Sequence, residues 1–344
     1  MSDVTTQADR PELEEEQEHR APFWQRLVAG SSTPIGLILV GLILVFSVLE
    51  PNAFLDSANA RNIATDAAVL LVLATGMTYV IITAGIDLSV GAVLVFSGVV
   101  SAKAMNAVGG DNWGVIFVGL AVALAGGLGW GLINGFLIAK AKIPAFVVTL
   151  GTLGMALGAS LVITGGVDER EVPFKLITTI GTGRAFDQVP WLVIIAFAVA
   201  IVFGVVLAAT RFGSYTYAVG SNEEAARRAG IPVDRHLMKV YALAGTLAGL
   251  AGFLSLARFS TTTIGGHDTD NLQAIAAVVI GGTSLFGGIG TMLGSVFGVF
   301  IPAVLDNGFV IVGVNPFWQE IAVGAVLVGA VFLDQLRRRS QYQR

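Results

Sequence analysis

The most chemically capable stretch of this chain is RFGSYTYAVGSNEEAARRAGIPVDRH, between Arg211 and His236. Glu223, Glu224, Arg227, Arg228, Asp234 and Arg235 crowd it with charge, and its acids precede its bases, which suits a helix macrodipole. Such a helix offers docking chemistry: it lies in the groove of a partner and exchanges displacement through packed contacts. A plain solvated connector has the same composition. Catalytic chemistry has little material. The chain has no cysteine, and His19, His236 and His267 fall in separate segments, making no metal cluster and no nucleophile–base pair. Neither H-E-x-x-H nor G-x-S-x-G occurs, and without any Gly-Lys pair the chain has no P-loop to cradle nucleotide phosphates.

A second set consists of polar residues inside apolar runs: Asp87, Asn134, Thr149, Thr152, Gln273, Thr283 and Ser284, with Phe146 and Trp318 as flat apolar faces. They are candidates to line or gate a route for a polar solute, which needs hydrogen bonds weak enough to release it. Small and hydroxylated side chains equally serve as glue between helices. Asp87 is the most informative acid, because a carboxylate at full membrane depth costs about 2.5–3.5 kcal/mol on insertion scales. Its place just before Leu88-Ser89 suits a cap on the following span, or a gate at the break, better than solute contact.

The elements that must hold these residues are membrane helices. The chain has 344 residues, of which 54% are hydrophobic and 13% charged, with 43 glycines; soluble domains average about 25% charged. Apolar runs near 20 residues recur, long enough to cross a hydrocarbon core of ~30 Å. The fold class is therefore an all-α polytopic membrane protein. Ten spans are expected, at about 35–50, 63–83, 88–107, 114–139, 145–164, 190–210, 239–257, 271–285, 288–312 and 316–334; merging the weak ones gives eight. The eighth is broken at Gly281-Gly282-Thr283-Ser284, which is tolerated only where it faces protein or water. A related break, Thr83 to Gly91, separates the second and third. Threaded with the N-terminus inside, most basic residues fall in cytoplasmic segments. Only Arg61, Lys103, Arg170, Lys175, Arg184 and Arg258 lie toward the other side, so both termini are expected to be cytoplasmic.

The net charge of −4 reflects Asp3, Asp9, Glu12, Glu14, Glu15, Glu16 and Glu18 in an N-terminal segment, 1–34, with no apolar periodicity. That segment reads as a disordered cytoplasmic tail, and its acidity does not fit a secretory signal. The expected organisation is this tail, a transmembrane domain at 35–335 with a cytoplasmic loop at 211–238, and a basic tail at 336–344. A faint internal repeat pairs Gly131-x-x-x-Gly135 with Gly294-x-x-x-Gly298, and Pro144-Ala145-Phe146 with Pro316-Phe317-Trp318, in opposite directions across the membrane. Gly127, Gly129, Gly131 and Gly135, like Gly288, Gly290 and Gly294, depart from dinucleotide-loop spacing; close helix packing explains them.

Three separated signatures, GIDLSVG at Gly85–Gly91, SNEEAARRAGI at Ser221–Ile231 and VVIGGTSLFGGIGTMLGS at Val278–Ser295, resemble the permease subunits of bacterial ABC importers for ribose, xylose, arabinose and galactose. Glu224-Ala225-Ala226 followed by Gly230 is similar to the cytoplasmic coupling motif of importer permeases, without its downstream Ile-x-Leu-Pro. The resemblance covers about residues 35–335. It implies a type II-like importer fold in the bacterial inner (plasma) membrane, with two permease copies, ABC ATPase subunits on the cytoplasmic side, an extracellular or periplasmic sugar-binding protein, and neither cofactor nor nucleic acid. It also implies that Ser221, Asn222, Glu223, Glu224, Ala225, Ala226, Arg227, Arg228 and Gly230 meet the ATPase. The loops at 165–190 and 258–270, with Asp168, Glu169, Arg170, Glu171, Lys175, His267 and Asp268, would then be rim charges for the binding protein. Two rivals stay open: the same machine carrying branched-chain amino acids or nucleosides, and a gradient-driven transporter using Asp66, Asp306 or Glu320 as its coupling acid.

Overall fold

A computed structural model describes residues 33–315, with Trp318, Ile321, Gly324 and Ala325 beyond them. Nearly all of the acidic tail, most of the tenth expected span with Glu320, and the basic tail at 336–344 lie outside the described residues.

The described chain is almost entirely helical. In order it forms α1 (Thr33–Leu49), α2 (Pro51–Phe54), α3 (Ser57–Ile82), α4 (Val90–Val108), α5 (Trp113–Ala139), α6 (Ala145–Thr164) and α7 (Phe174–Leu176). A π-helical turn at Ile177–Gly181 and a two-residue antiparallel pair, β1 (Arg184–Ala185) with β2 (Val189–Pro190), follow. The rest is α8 (Trp191–Ala209), α9 (Arg211–Ser221), α10 (Glu223–Arg228), α11 (Val233–Phe259), α12 (Asp270–Ile280) and α13 (Met292–Ile311).

Local chemistry sets many of these boundaries. Asp56, Asn112 and Thr291 cap α3, α5 and α13 by accepting from Ala58 N, Val115 N and Gly294 N at 3.2, 3.2 and 3.0 Å, each satisfying a donor with no partner inside its helix. Pro144 and Pro190 immediately precede α6 and α8, and Gly165, left-handed at φ 66°, closes α6.

Among the described residues seven helices, α3, α4, α5, α6, α8, α11 and α13, are long and apolar enough to cross a membrane. Two of the ten expected spans are shorter than that, and the tenth lies mostly outside the described residues. The first expected span is a 17-residue helix and the eighth is α12, only 11 residues, or about 16 Å at 1.5 Å per residue. Gly281 and Gly282 end α12 where a strand of apolar residues alone would have continued it. The segment at 211–238 differs too: α9 and α10 are separate helices, and α11 begins at Val233, several residues before the expected span.

Contacts sort the helix ends into two groups. At one end the 83–89 break, the Lys140–Lys142 turn, α9, α10 and the 281–291 break come together. At the other, Lys103 pairs with Glu169, Asp168 accepts from Thr262 and Ile264, and Arg258 pairs with Asp66. The first is called the basic end. α3 and α11 are buried along most of their length at the centre. α5, α6 and α8 expose Leu132, Phe136, Leu150, Met155, Ile201 and Val205 outward, an apolar belt suited to lipid. Between α5 and α11, glycine faces glycine: a Cβ on Gly127 or Gly131 would overlap the Gly245 or Tyr241 carbonyl. The expectation of close packing holds for Gly127, Gly131 and Gly135 and fails for Gly129, which has nothing within 4 Å.

Candidate functional site

The two interrupted segments end by the same device. After α3, the amides of Ala84 and Gly85 return to the carbonyls of Ile81 and Val80 at 2.9 and 3.0 Å, with Ala84 left-handed at φ 60°. After α12, Gly282 and Thr283 return to Val279 and Val278 at 2.9 and 3.2 Å, with Gly282 at φ 86°. Both are Schellman closures, which satisfy last-turn carbonyls but leave others over. One of those, Ile82 O, accepts from Gly288 N at 2.8 Å. The two breaks are thus bonded to each other.

α9 sits on this junction. A Cβ on Gly220 would collide with the Ile82 carbonyl, and one on Gly288 would lie 2.5 Å from the Ser221 hydroxyl. The Tyr217 hydroxyl donates to Gly290 O at 2.7 Å, so the last turn of α9, from Tyr217 to Ser221, is tied to the breaks.

Directly after Ser221 comes α10. Asn222 caps it, accepting from Ala225 N at 2.9 Å. Glu223 pairs with Arg227 at 2.9 Å and Glu224 with Arg228 at 3.1 Å, both one turn apart. Arg227 also reaches Asp234 at 3.0 Å, as Lys142 does at 2.8 Å. These carboxylates raise the Arg227 pKa, chiefly through the Asp234 and Glu223 hydrogen bonds. Ala226 is buried against Val219 and Val233, which roots the helix, while Gly230, at φ 83°, turns the chain back toward α11. Glu223, Glu224 and Arg228 are exposed. Eight of the nine expected docking residues therefore lie exposed in one continuous segment at the basic end, with Ala226 buried beneath them.

The expected route residues divide into three places. Asp87 is 1% exposed, and its Oδ1 accepts from Ser89 N at 2.9 Å and Ser89 Oγ at 2.6 Å. Asn134 donates to Ser89 Oγ at 2.9 Å, and Thr152 donates to Asn134 Oδ1 at 2.8 Å. Thr149 reaches the Ile86 carbonyl at 3.3 Å. These four residues thus hold the 85–89 segment between α5 and α6. Ser89, not Asp87, occupies the cap position of α4; Asp87 works one step earlier by fixing Ser89. Thr283 and Ser284 are buried in the second break. Phe146 is 53% exposed at the start of α6, and Trp318 is likewise exposed.

Gln273 lies elsewhere, in a cavity of about 650 Å³ between α3, α11, α12 and α13 toward the opposite end. Asn62, Asp66, Arg258, Asp270, Asp306 and Asn307 line it with Gln273. Sequence reasoning named Gln273 as a route residue and Asp66 and Asp306 only as coupling acids, and missed Asn62 and Asn307. The available signal was Asn62 and Asp66 one turn apart in α3, and Asp306-Asn307 one turn beyond Pro302 in α13.

His267 corrects the expectation that no nucleophile–base pair forms. Its ring is buried; Nδ1 lies 2.7 Å from Asp270 Oδ2, and Nε2 lies 2.8 Å from Ser255 Oγ and 3.0 Å from Thr263 Oγ1. Ser255 is itself buried inside α11. The arrangement pins the 260–269 turn onto α11. Asp168 and Glu169 are also committed inward, to Thr262, Ile264 and Lys103. Among the described residues no group of His, Asp and Glu could hold a metal ion.

The family described as branched-chain amino acid transport system / permease component matches residues 59–331. The ribose import permease protein RbsC of Bacillus subtilis (strain 168) is 38% identical over 88% of this chain and 91% of its own length. The D-allose transport system permease protein AlsC of Escherichia coli (strain K12) is 34% identical over 87% and 90%. The fructose import permease protein FrcC of Rhizobium meliloti is 32% identical over 92% and 88%. No solved structure matches the chain. A bundle of apolar helices with two breaks joined beneath a polar helix, matched along most of its length, places this chain in the branched-chain amino acid transport system / permease component family.

Proposed function

We propose that this chain is the membrane-spanning subunit of an ATP-driven importer that moves a monosaccharide, a pentose or related sugar, across the bacterial plasma membrane by alternating access. Two copies stand side by side, with both termini cytoplasmic. Separate ATPase subunits grip α10 and supply all the energy, and a binding protein outside delivers the sugar. The sugar follows from the cargo named for the relatives, which are ribose, allose and fructose permeases, rather than from the family description.

The observation that carries this reading is the seat of α9 on the Ile82–Gly288 bond. An exposed charged helix is continuous with a packed one whose glycine touches both interruptions. Displacement applied at Glu223–Arg228 reaches α3, α4, α12 and α13 through backbone contacts. Packed elements shift between discrete arrangements instead of deforming smoothly.

Uptake of labelled ribose into proteoliposomes tests it. Uptake is expected to require ATP, the ATPase subunits and the binding protein, and to survive collapse of ion gradients at constant ATP. Uptake lost on that collapse, or unchanged when the ATPase is omitted, overturns it.

A further inference from the structure

The cavity lies toward the end opposite the junction, and we infer that it is the chamber in which each chain receives a neutral polyhydroxylated solute; this rests on the importer reading. Its volume of about 650 Å³ falls within the roughly 300–1,000 Å³ of small-molecule sites. The chemistry of its wall selects the ligand class. Asn62, Gln273 and Asn307 carry amides, each able to donate and accept, which matches hydroxyls that do the same. Among the described lining residues the basic ones are Arg258 and His267, and both already face carboxylates, Asp66 and Asp270.

That pairing discriminates between cargoes. A ligand carboxylate, such as an amino acid's, would meet a wall whose two basic side chains already face carboxylates, with no further basic side chain among the described lining residues. Desolvating it there is offset by amide hydrogen bonds but by no uncommitted cation. A neutral polyol carries no such penalty. The other wall, with Leu70, Phe259 and Ala303, is apolar and suits the C–H face of a sugar ring.

The chamber also connects to the junction. Gln273 stands two residues beyond Asn271, whose amide donates to Leu88 O at 2.9 Å in the first break. The far end of the same half-helix, at Gly281 and Gly282, enters the second break. A solute held by Gln273 thus touches α12, a short element that both interruptions contact.

The absence of native cysteine permits a direct test in the assembled transporter. Val69→Cys and Val310→Cys, on the cavity wall but not among its polar groups, are made singly, checked for retained uptake, and exposed to a water-soluble methanethiosulfonate in proteoliposomes. Leu272→Cys, exposed but outside the cavity wall, is the control. The probes are D-ribose, D-allose and D-fructose with the binding protein, against L-leucine. Both cavity cysteines are expected to react, and the sugar that the wild type imports should slow them about tenfold at tenfold its half-saturating concentration, leaving Leu272→Cys unchanged. An imported sugar that protects neither cysteine overturns the chamber while the importer reading stands. Protection by leucine in a preparation that imports none of the sugars overturns both.

Discussion

Gly288 donates its amide to the carbonyl of Ile82 at 2.8 Å, joining two breaks that the sequence places in opposite halves of the chain. Each break alone would leave polar backbone at membrane depth, where every unsatisfied group costs several kcal/mol. Bonded together they remove part of that cost, and Gly220 closes over the pair. Four predictions concern this assembly and its supports.

Gly220→Ala adds a methyl group against the Ile82 carbonyl. Overpacking of this kind costs about 1–3 kcal/mol. The thermal midpoint of the purified complex should fall, and uptake should fall with it. Gly129→Ala, with nothing within 4 Å of the added carbon, should leave both unchanged.

Tyr217→Phe removes the 2.7 Å bond to Gly290 O without changing the ring's shape. The stability loss should be about 1 kcal/mol. Because the bond fastens α9 to the second break, the ratio of solute moved to ATP hydrolysed should drop while hydrolysis continues. An unchanged ratio would exclude Tyr217 from the transmission.

Asn222→Ala deletes the cap of α10, a change worth about 1 kcal/mol. Amide exchange across residues 223–230 should quicken about fivefold, since that energy sets the local opening equilibrium. Exchange in α11 should not move.

Asp87→Asn retains an oxygen acceptor for Ser89 N and Ser89 Oγ, whereas Asp87→Ala strands both buried donors. The first should transport within about twofold of wild type; the second should lose about 1–3 kcal/mol of stability. An inert Asp87→Asn protein with normal stability would show that the charge itself is used.

What could be read from residues alone follows from the physics of each signal. Apolar runs located the helices, and the acid-then-base order of Glu223 to Arg228 located α10, because both patterns are local. The glycine pair at Gly281-Gly282 marked a break but gave no sense that α12 would be a half-length helix. Two features were invisible. The Ile82–Gly288 bond depends on which loops meet, and the cavity draws Asn62, Gln273 and Asn307 from three helices. Periodicity tells which side of a helix a residue occupies, not which neighbour that side will find. His267 misled for the same reason, since Ser255 and Thr263 reach its ring only after the chain turns at Ser260, left-handed at φ 60°.

The glycine seam between α5 and α11 has a mechanical corollary. With Gly127 and Gly131 pressed against Gly245 and Gly249, backbone lies on backbone and no side chains remain there to slide or re-pack. These two helices must travel as a single keel. Whatever opening and shutting the molecule performs has to pivot about that keel, at its borders with α3, α12 and α13.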